Sequence, residues 1–295
     1  MLAEPVVRLL APQPGQTILD GTTGLGGHAE LLIPRILPGG RYIGMDLDEQ
    51  MLQGARQRLS RLAGVEPQTL ALFKGNFADF AQTLQELGLD QVDHMLLDLG
   101  VNSAQLEDPR RGFSFEREGP LDMRFDRDQQ ETALDLVNRL SERELADLFY
   151  RFGQEGASRR IAKRICEFRH LQRIRTTTVL AKAVESAISS LRGGRQGRIH
   201  PATRVFQALR VAVNRELENL ERFLEQVIEH LRPGGRLAVI SFHSLEDGIV
   251  KRFMRQARAE GSLRELTKRP IIADPQERET NPRSRSAKLR VAERT

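Results

Sequence analysis

Residues 17–28 read TILDGTTGLGGH, a short apolar run that leads into a turn with four glycines. The run at residues 17–20 is typical of a buried strand, and a helix is predicted to begin at His28. Glycine lets a backbone turn sharply and approach a ligand closely, and the free N–H groups of the next helix can bind that ligand. The glycine spacing, G-x-x-G-x-G-G, differs from the dinucleotide fingerprint. The stretch therefore predicts a ligand-binding strand–loop–helix, but it weakens a nicotinamide oxidoreductase interpretation.

Short strands alternate with helices through the first hundred residues. Strands are expected at 17–20, 41–46, 70–73 and 92–97, and helices at 28–36, 49–62 and 80–87. This alternation is typical of βαβ units, which form a parallel sheet with helices on its faces. The predicted fold class is therefore α/β.

The alternation stops after the fourth strand. From about residue 107 to residue 204 the pattern predicts loops and helices without a strand, and Ser141 with Glu144 has the spacing of a capping box. We therefore expect one α/β domain (1–106 and 205–295) that is interrupted by a helical insertion (107–204). Further helices are expected at 158–170, 177–190, 204–231 and 245–259, a basic loop at 193–197, and strands at 236–242, 270–273 and 286–292.

Charge is distributed unevenly along the chain. The formal net charge is +5, yet residues 1–100 hold seven Lys/Arg against twelve Asp/Glu, whereas residues 151–215 hold fifteen against three. The last fifteen residues hold five basic side chains and one acidic one. A basic segment beside an acidic one is expected of a protein that binds a polyanion such as nucleic acid. A solvated helical face is the alternative interpretation.

Composition excludes several classes of protein. The 295 residues are 39% hydrophobic and 29% charged, an ordinary globular balance. No membrane span and no signal peptide are expected from the sequence. The only cysteine, Cys166, excludes an intrachain disulfide and a cysteine-based zinc cluster, and it fits a reducing cytosol, so we expect a cytoplasmic protein. The six histidines lack zinc-ligand spacing, and neither a G-x-S-x-G elbow nor a P-loop is present, so no metal, hydrolase or NTPase site is predicted.

Two aspartates follow predicted strands and are candidates for ligand binding. Asp46 closes the second strand, where a carboxylate can accept hydrogen bonds from both ribose hydroxyls of a nucleoside. Asp98 closes the fourth strand, and ligands of open α/β sheets lie outside the carboxyl ends of the strands. The alternative is that these are ordinary strand-end acids in tight turns. The pair together favours a nucleoside cofactor. Polar side chains follow at Asn102, Ser103 and Gln105.

Two later segments carry candidate substrate-binding residues. Arg111, Phe113, Phe115 and Arg124 lie in a glycine-containing loop, where phenylalanines can stack on an unpaired base, although we expect one of the two to anchor the loop. Residues 203, 207, 210 and 214 share one helical face, so Arg210 and Asn214 belong to a polar stripe on the helix that follows His200 and Arg204.

The end of the last apolar strand carries another candidate. His243 either faces the ligand cleft or serves as an ordinary strand-end histidine. Ser244 with Asp247 is predicted to cap the helix that follows.

These motifs together resemble the bacterial ribosomal RNA small-subunit methyltransferase H family. The resemblance covers nearly the whole chain and rests on residues 20–28, 98–106, 112–115, 119–124, 200–204, 233–247 and 281–294. It implies a Rossmann-like methyltransferase sheet with an inserted helical substrate-recognition domain. It also implies S-adenosyl-L-methionine as cofactor, and methylation of the N4 amino group of a cytidine in small-subunit (16S) ribosomal RNA at the decoding centre. The partner implied is that RNA in the assembled small subunit, with no membrane contact and with a homodimer left open.

The resemblance also assigns roles to single residues. It implies cofactor contacts for Gly26, Gly27 and His28, a ribose contact for Asp46, and contacts to the adenine and methionine region for Phe77 and Asp98. Gln105 would contact the far side of the cofactor, and the expected catalytic residues are Asp98, Asn102 and Ser103. The expected substrate-binding residues are Arg111, Phe113, Phe115, Arg124, His200, Arg204, Arg210, Asn214 and His243.

The sequence departs from the family pattern in two places. Asn102 stands where a serine is expected, which would bring an amide to the target amine in place of a hydroxyl. Family members also begin with a longer N-terminal segment, and Met1 is expected to lie inside the first helix.

Two alternative functions fit the sequence unequally. A non-catalytic RNA-binding ribosome assembly factor with a relic cofactor pocket would share the same motifs. A DNA amino-methyltransferase would usually show Asp or Ser, then Pro-Pro and an aromatic residue, after the fourth strand. Residues 98–101, DLGV, do not match that pattern.

Overall fold

A computed structural model describes residues 1–188 and 200–295. The chain divides into two compact units, which we call the sheet unit (Met1–Gly100 and Leu217–Thr295) and the helical unit (Val101–Glu216). The helical unit begins six residues before, and ends twelve residues after, the bounds expected for the insertion. The predicted basic loop at 193–197 lies outside the described residues.

Eight strands form one sheet in the described residues of the sheet unit. Their order is β3-β2-β1-β4-β5-β8-β6, and β7 pairs with β8. Strands β1 to β5 pair in parallel, whereas β8 runs antiparallel to its three neighbours. The strands are β1 (Thr17–Asp20), β2 (Arg41–Asp46), β3 (Leu70–Lys74), β4 (Val92–Asp98), β5 (Leu231–Ser241), β6 (Leu263–Glu265), β7 (Ile271–Ile272) and β8 (Lys288–Arg294). The predicted α/β class is confirmed.

Helices flank the sheet and build the helical unit. Those of the described chain are α1 (Ala3–Leu10), α2 (Ala29–Ile36), α3 (Glu49–Leu59), α4 (Phe80–Glu86), α5 (Ser103–Glu107), α6 (Ala133–Arg139), α7 (Glu142–Gly153), α8 (Ser158–Leu171), α9 (Thr177–Ile188), α10 (Ala202–Val213), α11 (Glu216–His230), α12 (Ser244–Ala259) and α13 (Pro275–Thr280). No helix in the described residues is both long and apolar enough to cross a lipid bilayer.

Each face of the sheet carries its own apolar core. Successive side chains of a strand point to opposite faces, so Ile18 packs in one core with Leu32 and Leu289, and Leu19 in the other with Phe80 and Phe223. The helical unit has a separate core around Phe149, Ile161 and Leu209. In its described residues it contains no strand, only an isolated bridge between Pro120 and Thr176. The capping box of Ser141 with Glu144 is confirmed.

The prediction of one long helix at 204–231 is wrong, because two helices occupy this range. Helix α10 ends at Val213 and α11 begins at Glu216. Between them Arg215 has a φ of 49°, a left-handed conformation that a continuous helix does not contain. The buried side chain of Asn214 also bonds the backbone at Met123 and Phe125, which fixes the break.

Smaller differences lie near both ends of the chain. The first helix begins at Ala3, so Met1 precedes it. Strand β5 begins at Leu231, five residues before the expected start at residue 236, and therefore contains the Pro-Gly-Gly run at 233–235. The short strand β6, which pairs with β8, was not predicted.

Candidate functional site

Three parallel strands bring three aspartates to one edge of the sheet. Asp20, Asp46 and Asp98 are the last residues of β1, β2 and β4, and β1 lies between the other two strands. The chain leaves β1 on one side toward β2 and returns on the other side as β4, so β1 and β4 form the topological switch point at which such sheets bind ligands.

Asp20 shapes the loop. Its carboxylate is 1% exposed and accepts hydrogen bonds from the Tyr42 hydroxyl at 2.5 Å and from the Thr22 N–H at 3.0 Å. Burial raises the pKa of Asp20, and the bond from Tyr42 opposes that rise. Sequence reasoning missed Tyr42, because no local pattern indicates that a strand tyrosine pairs with an acid on the neighbouring strand.

Asp46 holds two turns of the site in place. Its Oδ2 accepts the N–H of Gly24 at 2.8 Å, and its Oδ1 accepts the N–H of Asp48 at 2.9 Å. Burial raises the pKa of Asp46 to about 6. A carboxylate oxygen offers about two lone-pair sites, so each oxygen keeps acceptor capacity for a ribose hydroxyl.

Asp98 and His28 form the polar centre of the site. The His28 Nε2 lies 3.2 Å from the Asp98 Oδ2, and the Thr22 hydroxyl accepts the Asp98 N–H at 2.6 Å. Among the described residues, Asp98 Oδ1 and His28 Nδ1 are buried without a hydrogen-bond partner. Buried polar atoms in folded proteins are rarely left unpaired, so these two atoms fit a polar ligand.

The glycine loop is tightly packed on one side and open on the other. A Cβ at Gly21 would lie 2.6 Å from Leu97 and 2.7 Å from Phe77, so only glycine fits there. Gly26 has a φ of 79°. A Cβ at Gly27 would meet no protein atom within 4 Å, so this backbone is open to a ligand.

Phe77 lies beside this loop. It begins a 3₁₀ turn after β3, and its ring packs edge-on against Phe223 at a centroid distance of 5.8 Å. Because Phe77 also closes the space beside the Gly21 backbone, this position suits an apolar wall for an adenine ring.

Asn102, Ser103 and Gln105 lie in the helical unit, at the start of α5. Asn102 is the N-cap: its Oδ1 accepts the Gln105 N–H at 2.9 Å, and the Gln105 side chain accepts the Asn102 N–H at 3.2 Å. Ser103 is exposed and Gln105 is 4% exposed. Asparagine and serine are both among the best N-cap residues, so Asn102 provides the helix cap that a serine would also provide.

Several predicted substrate residues hold the helical unit together. Arg111 is 2% exposed and donates to the carbonyls of Arg124 and Phe125 at 2.8 and 3.1 Å. Phe113 is buried and stacks on Phe125 at 5.4 Å, which makes it the loop anchor expected of one of the two phenylalanines. Arg124 pairs with Asp122 at 2.8 Å.

The remaining candidates of the helical unit form two groups. Phe115 stacks on His200 at 4.5 Å, and His200 lies 2.6 Å from a Glu185 oxygen. Arg204 is half exposed and lies 3.8 Å from Glu155.

Arg210 and Asn214 belong to the second group, which is engaged internally. Arg210 makes a two-pronged ion pair with Glu216 at 2.8 and 2.9 Å. Asn214 is 6% exposed and bonds the backbone of the 123–125 segment. The exposed members of the predicted set are therefore His200 and Arg204.

His243, in the sheet unit, is the N-cap of α12. Its Nδ1 accepts the Glu246 N–H at 3.4 Å, and the Glu246 side chain accepts the His243 N–H at 3.2 Å. The predicted cap of Ser244 with Asp247 is wrong, because Asp247 instead pairs with Arg290 at 2.7 Å. Glu246, only 1% exposed, was not singled out from the sequence.

Fold and site define a class of protein, the Rossmann-like α/β proteins with a ligand site at the carboxyl ends of the parallel strands. A crystal structure of a proposed rRNA methylase from Clostridium thermocellum shares the fold, with a TM-score of 0.50 over 99% of this chain and 95% of that chain at 11% identity.

The MraW methylase family model matches residues 1–295, so the chain belongs to the MraW methylase family. Proteins named Ribosomal RNA small subunit methyltransferase H from Pelobacter propionicus and Sorangium cellulosum are each 48% identical to it, over 100% of this chain and 97% and 90% of theirs. The predicted family resemblance and the methyltransferase class are confirmed.

Proposed function

We propose that this protein methylates the N4 amino group of a cytidine in small-subunit ribosomal RNA, at the decoding centre. The names of relatives that are 48% identical over the whole chain support small-subunit ribosomal RNA as substrate. The observation that carries the chemistry is the buried Asp98 Oδ1, which has no partner in the described residues and lies at the switch point of the sheet.

The residues of the sheet unit fit S-adenosyl-L-methionine. Asp46 would accept the ribose hydroxyls, Phe77 would cover the adenine, and the open backbone at Gly27 would allow close approach. The His28 Nδ1 would pair with a polar group of the bound methionine part, which leaves the Asp98 Oδ1 for the target amine. When bound, the cofactor supplies a methyl group that its sulfonium already activates.

The protein's contribution to the reaction is to position and polarise the amine. Cytosine N4 is a poor nucleophile because its lone pair is delocalised into the ring. In our proposal Asp98 accepts a hydrogen bond from the amino group, orients it in line with the methyl group and stabilises the positive charge that develops on nitrogen. A strong general base is unnecessary, because the methylated amine loses its proton readily.

The helical unit is proposed to hold the RNA. Most of the segment at 151–215, with fifteen basic and three acidic residues, lies in this unit, and cationic side chains position a nucleic acid through its phosphates. The target base has to leave its stack to reach the methyl group. We propose the assembled small subunit as the substrate, which would place the enzyme in the cytoplasm.

Transfer of labelled methyl groups from S-adenosyl-L-methionine to purified small subunits tests this function. Asp98→Ala is expected to lower the rate by about a hundredfold or more, since it removes a group that acts on the reacting nitrogen. Asp90→Ala, at an exposed aspartate before β4, is the matched control and should keep full activity.

Binding measurements on the same proteins separate the outcomes. Retained cofactor binding and unchanged thermal unfolding of the Asp98→Ala variant would show that the fold survives. Full activity of that variant would contradict the role of Asp98. Cofactor binding by the wild-type protein without any methyl transfer would instead support a non-catalytic assembly factor.

A further inference from the structure

The helical unit contains a cavity of about 370 Å³. Its lining includes none of the proposed cofactor ligands. Its apolar surface is formed by Pro120, Leu121 and Leu134, and two arginines, Arg173 and Arg175, line it as well. Small-molecule sites in proteins span about 300–1,000 Å³, so the cavity is large enough for part of a nucleotide.

Backbone hydrogen bonds fix the walls of this cavity. The Leu121 N–H donates to the Arg175 carbonyl at 3.2 Å, and the Leu134 N–H donates to the Leu121 carbonyl at 2.7 Å. Beside them, Gly119 and Thr177 exchange backbone and hydroxyl bonds at 2.9 and 3.1 Å. The segment at 119–121 is thus held from two sides. A ligand that binds to a segment fixed in this way causes little further loss of conformational entropy in the protein.

The two arginines of the cavity differ from their cationic neighbours. Arg124 is paired with Asp122, and Arg139 with Glu131. Among the described residues, the exposed side chains of Arg173 and Arg175 form no ion pair or hydrogen bond. After the hydrogen bonds from Thr132, the charge of Arg173 helps to lower the pKa of Asp135, so Arg173 acts on that carboxyl through space. Both guanidinium groups therefore remain able to contact an anion.

The acidic and hydroxyl groups at the cavity are already engaged. Burial alone would raise the pKa of Asp122, but the hydrogen bonds from Arg124 outweigh it and lower that pKa, so Asp122 is an ion with its own counter-ion. The Thr132 hydroxyl donates to Asp135 at 2.6 Å. The charge balance of the cavity thus favours an anionic ligand.

We propose that this cavity binds a nucleotide of the RNA strand, with its phosphate between Arg173 and Arg175 and its ribose or base against the apolar wall. This inference rests on the proposed RNA substrate and adds a recognition site formed by the helical unit alone. A free nucleotide carries the same phosphate, ribose and base, so the test includes both RNA and a free nucleotide as ligands.

The test compares Arg173→Gln/Arg175→Gln with a matched double variant, Arg8→Gln/Arg35→Gln, which removes the same charge from exposed positions of the sheet unit. Binding of labelled small-subunit RNA is measured from about 50 to about 200 mM salt, and methyl transfer is measured on the same RNA and on small subunits. Competition by cytidine monophosphate tests the free nucleotide.

The cavity variant should bind RNA about tenfold more weakly than the wild type. The slope of log binding constant against log salt concentration should be less steep by roughly 0.7–1.4, because one or two contacts to phosphates of a single strand are lost. Its KM for RNA should rise about tenfold while kcat and cofactor affinity stay unchanged, a split that a merely structural defect would not produce. The control variant should match the wild type, and cytidine monophosphate should compete only weakly.

The other outcomes distinguish failure of the cavity site from failure of the proposed function. If the wild type methylates RNA and the cavity variant behaves like the control, the cavity site is wrong and the proposed function stands. If no methyl group is transferred but RNA binding depends on the two arginines, the proposed function fails and the site stands. Strong competition by cytidine monophosphate would overturn the RNA strand as the occupant.

Discussion

At the residue scale, Asp46 combines a structural and a proposed cofactor-binding role, because the same carboxylate that accepts two loop N–H groups also has acceptor capacity left for a ribose. Burial raises its pKa to about 6, so part of its charge is lost under mildly acidic conditions. The ribose hydroxyls donate to the ionised form, and a bound nucleoside therefore lowers this pKa.

Cofactor affinity should consequently weaken as the pH falls through about 6. Binding favours the ionised carboxylate, so Kd is expected to be constant above that pH and to rise about tenfold on going down to about pH 5. Calorimetric titration between about pH 7.5 and about pH 5 measures it. Asp46→Asn, which cannot ionise, should bind more weakly at neutral pH and show a flat profile. A flat profile in the wild type would contradict the ribose role.

Asn214 is predicted to be a stability residue. Its side chain accepts the Phe125 N–H at 2.7 Å and donates to the Met123 carbonyl at 2.7 Å, so Asn214→Ala leaves buried backbone groups without partners. We expect a loss of roughly 3 kcal/mol in the free energy of unfolding, measured with urea. Gln207→Ala, on the helix that ends just before Asn214, removes one bond of 3.2 Å and should cost less than about 1 kcal/mol. Equal stability of the two variants would refute this role.

Residue roles were predictable from the sequence only where position along a strand decides them. Asp46 and Asp98 follow apolar runs, so their place at the sheet edge could be inferred. The partners of Asn214 lie 89 and 91 residues away in sequence, and no local pattern reveals them. The polar stripe on α10 was for that reason interpreted as a substrate surface, although two of its members are engaged inside the unit.

At the scale of elements, two glycines in the turn from β1 to α2 differ in the space around them. The Gly21 position is closed by Leu97 and Phe77, whereas the Gly27 position is open. Sequence spacing alone could not distinguish them, because both read as glycines of one loop.

Gly21→Ala should destabilise the fold. The added Cβ would lie within 2.7 Å of Phe77 and Leu97, which forces the loop or the strand to shift. The expected cost is about 1–3 kcal/mol in the free energy of unfolding. Chemical denaturation checks this, and an unchanged midpoint would argue against the tight packing.

Gly27→Ala should instead spare the fold and weaken the cofactor. Its Cβ meets no protein atom within 4 Å, so unfolding should match the wild type. The methyl group would occupy space that we assign to the cofactor, and we expect about tenfold weaker binding. Unchanged cofactor affinity would place the ligand elsewhere.

Element boundaries show where sequence patterns fail. The strands and α-helices between residues 17 and 98 were predicted to within three residues, because apolar periodicity and glycine turns mark both ends. The break between α10 and α11 has no glycine or proline at the break and depends on a tertiary contact, so a single long helix was predicted instead. The short edge strand β6 owes its conformation to pairing with β8 and shows little apolar pattern of its own.

At the scale of the whole molecule, the net charge of +5 is divided unevenly between an acidic and a basic segment. Residues 1–100, with seven basic and twelve acidic side chains, provide the strand ends at which we place the cofactor, and residues 151–215, with fifteen and three, lie almost wholly in the helical unit. Such a division is expected of an enzyme that binds a small cofactor with one unit and a polyanion with the other.

Mapping of methylated cytidines in small-subunit ribosomal RNA by mass spectrometry tests the central claim most directly. RNA is compared from cells with the protein, cells without it, and cells that carry the Asp98→Ala variant. Loss of one N4-methylated cytidine at the decoding centre, restored by the wild type and not by the variant, is the predicted result. A methylation map that is identical in all three would contradict the account.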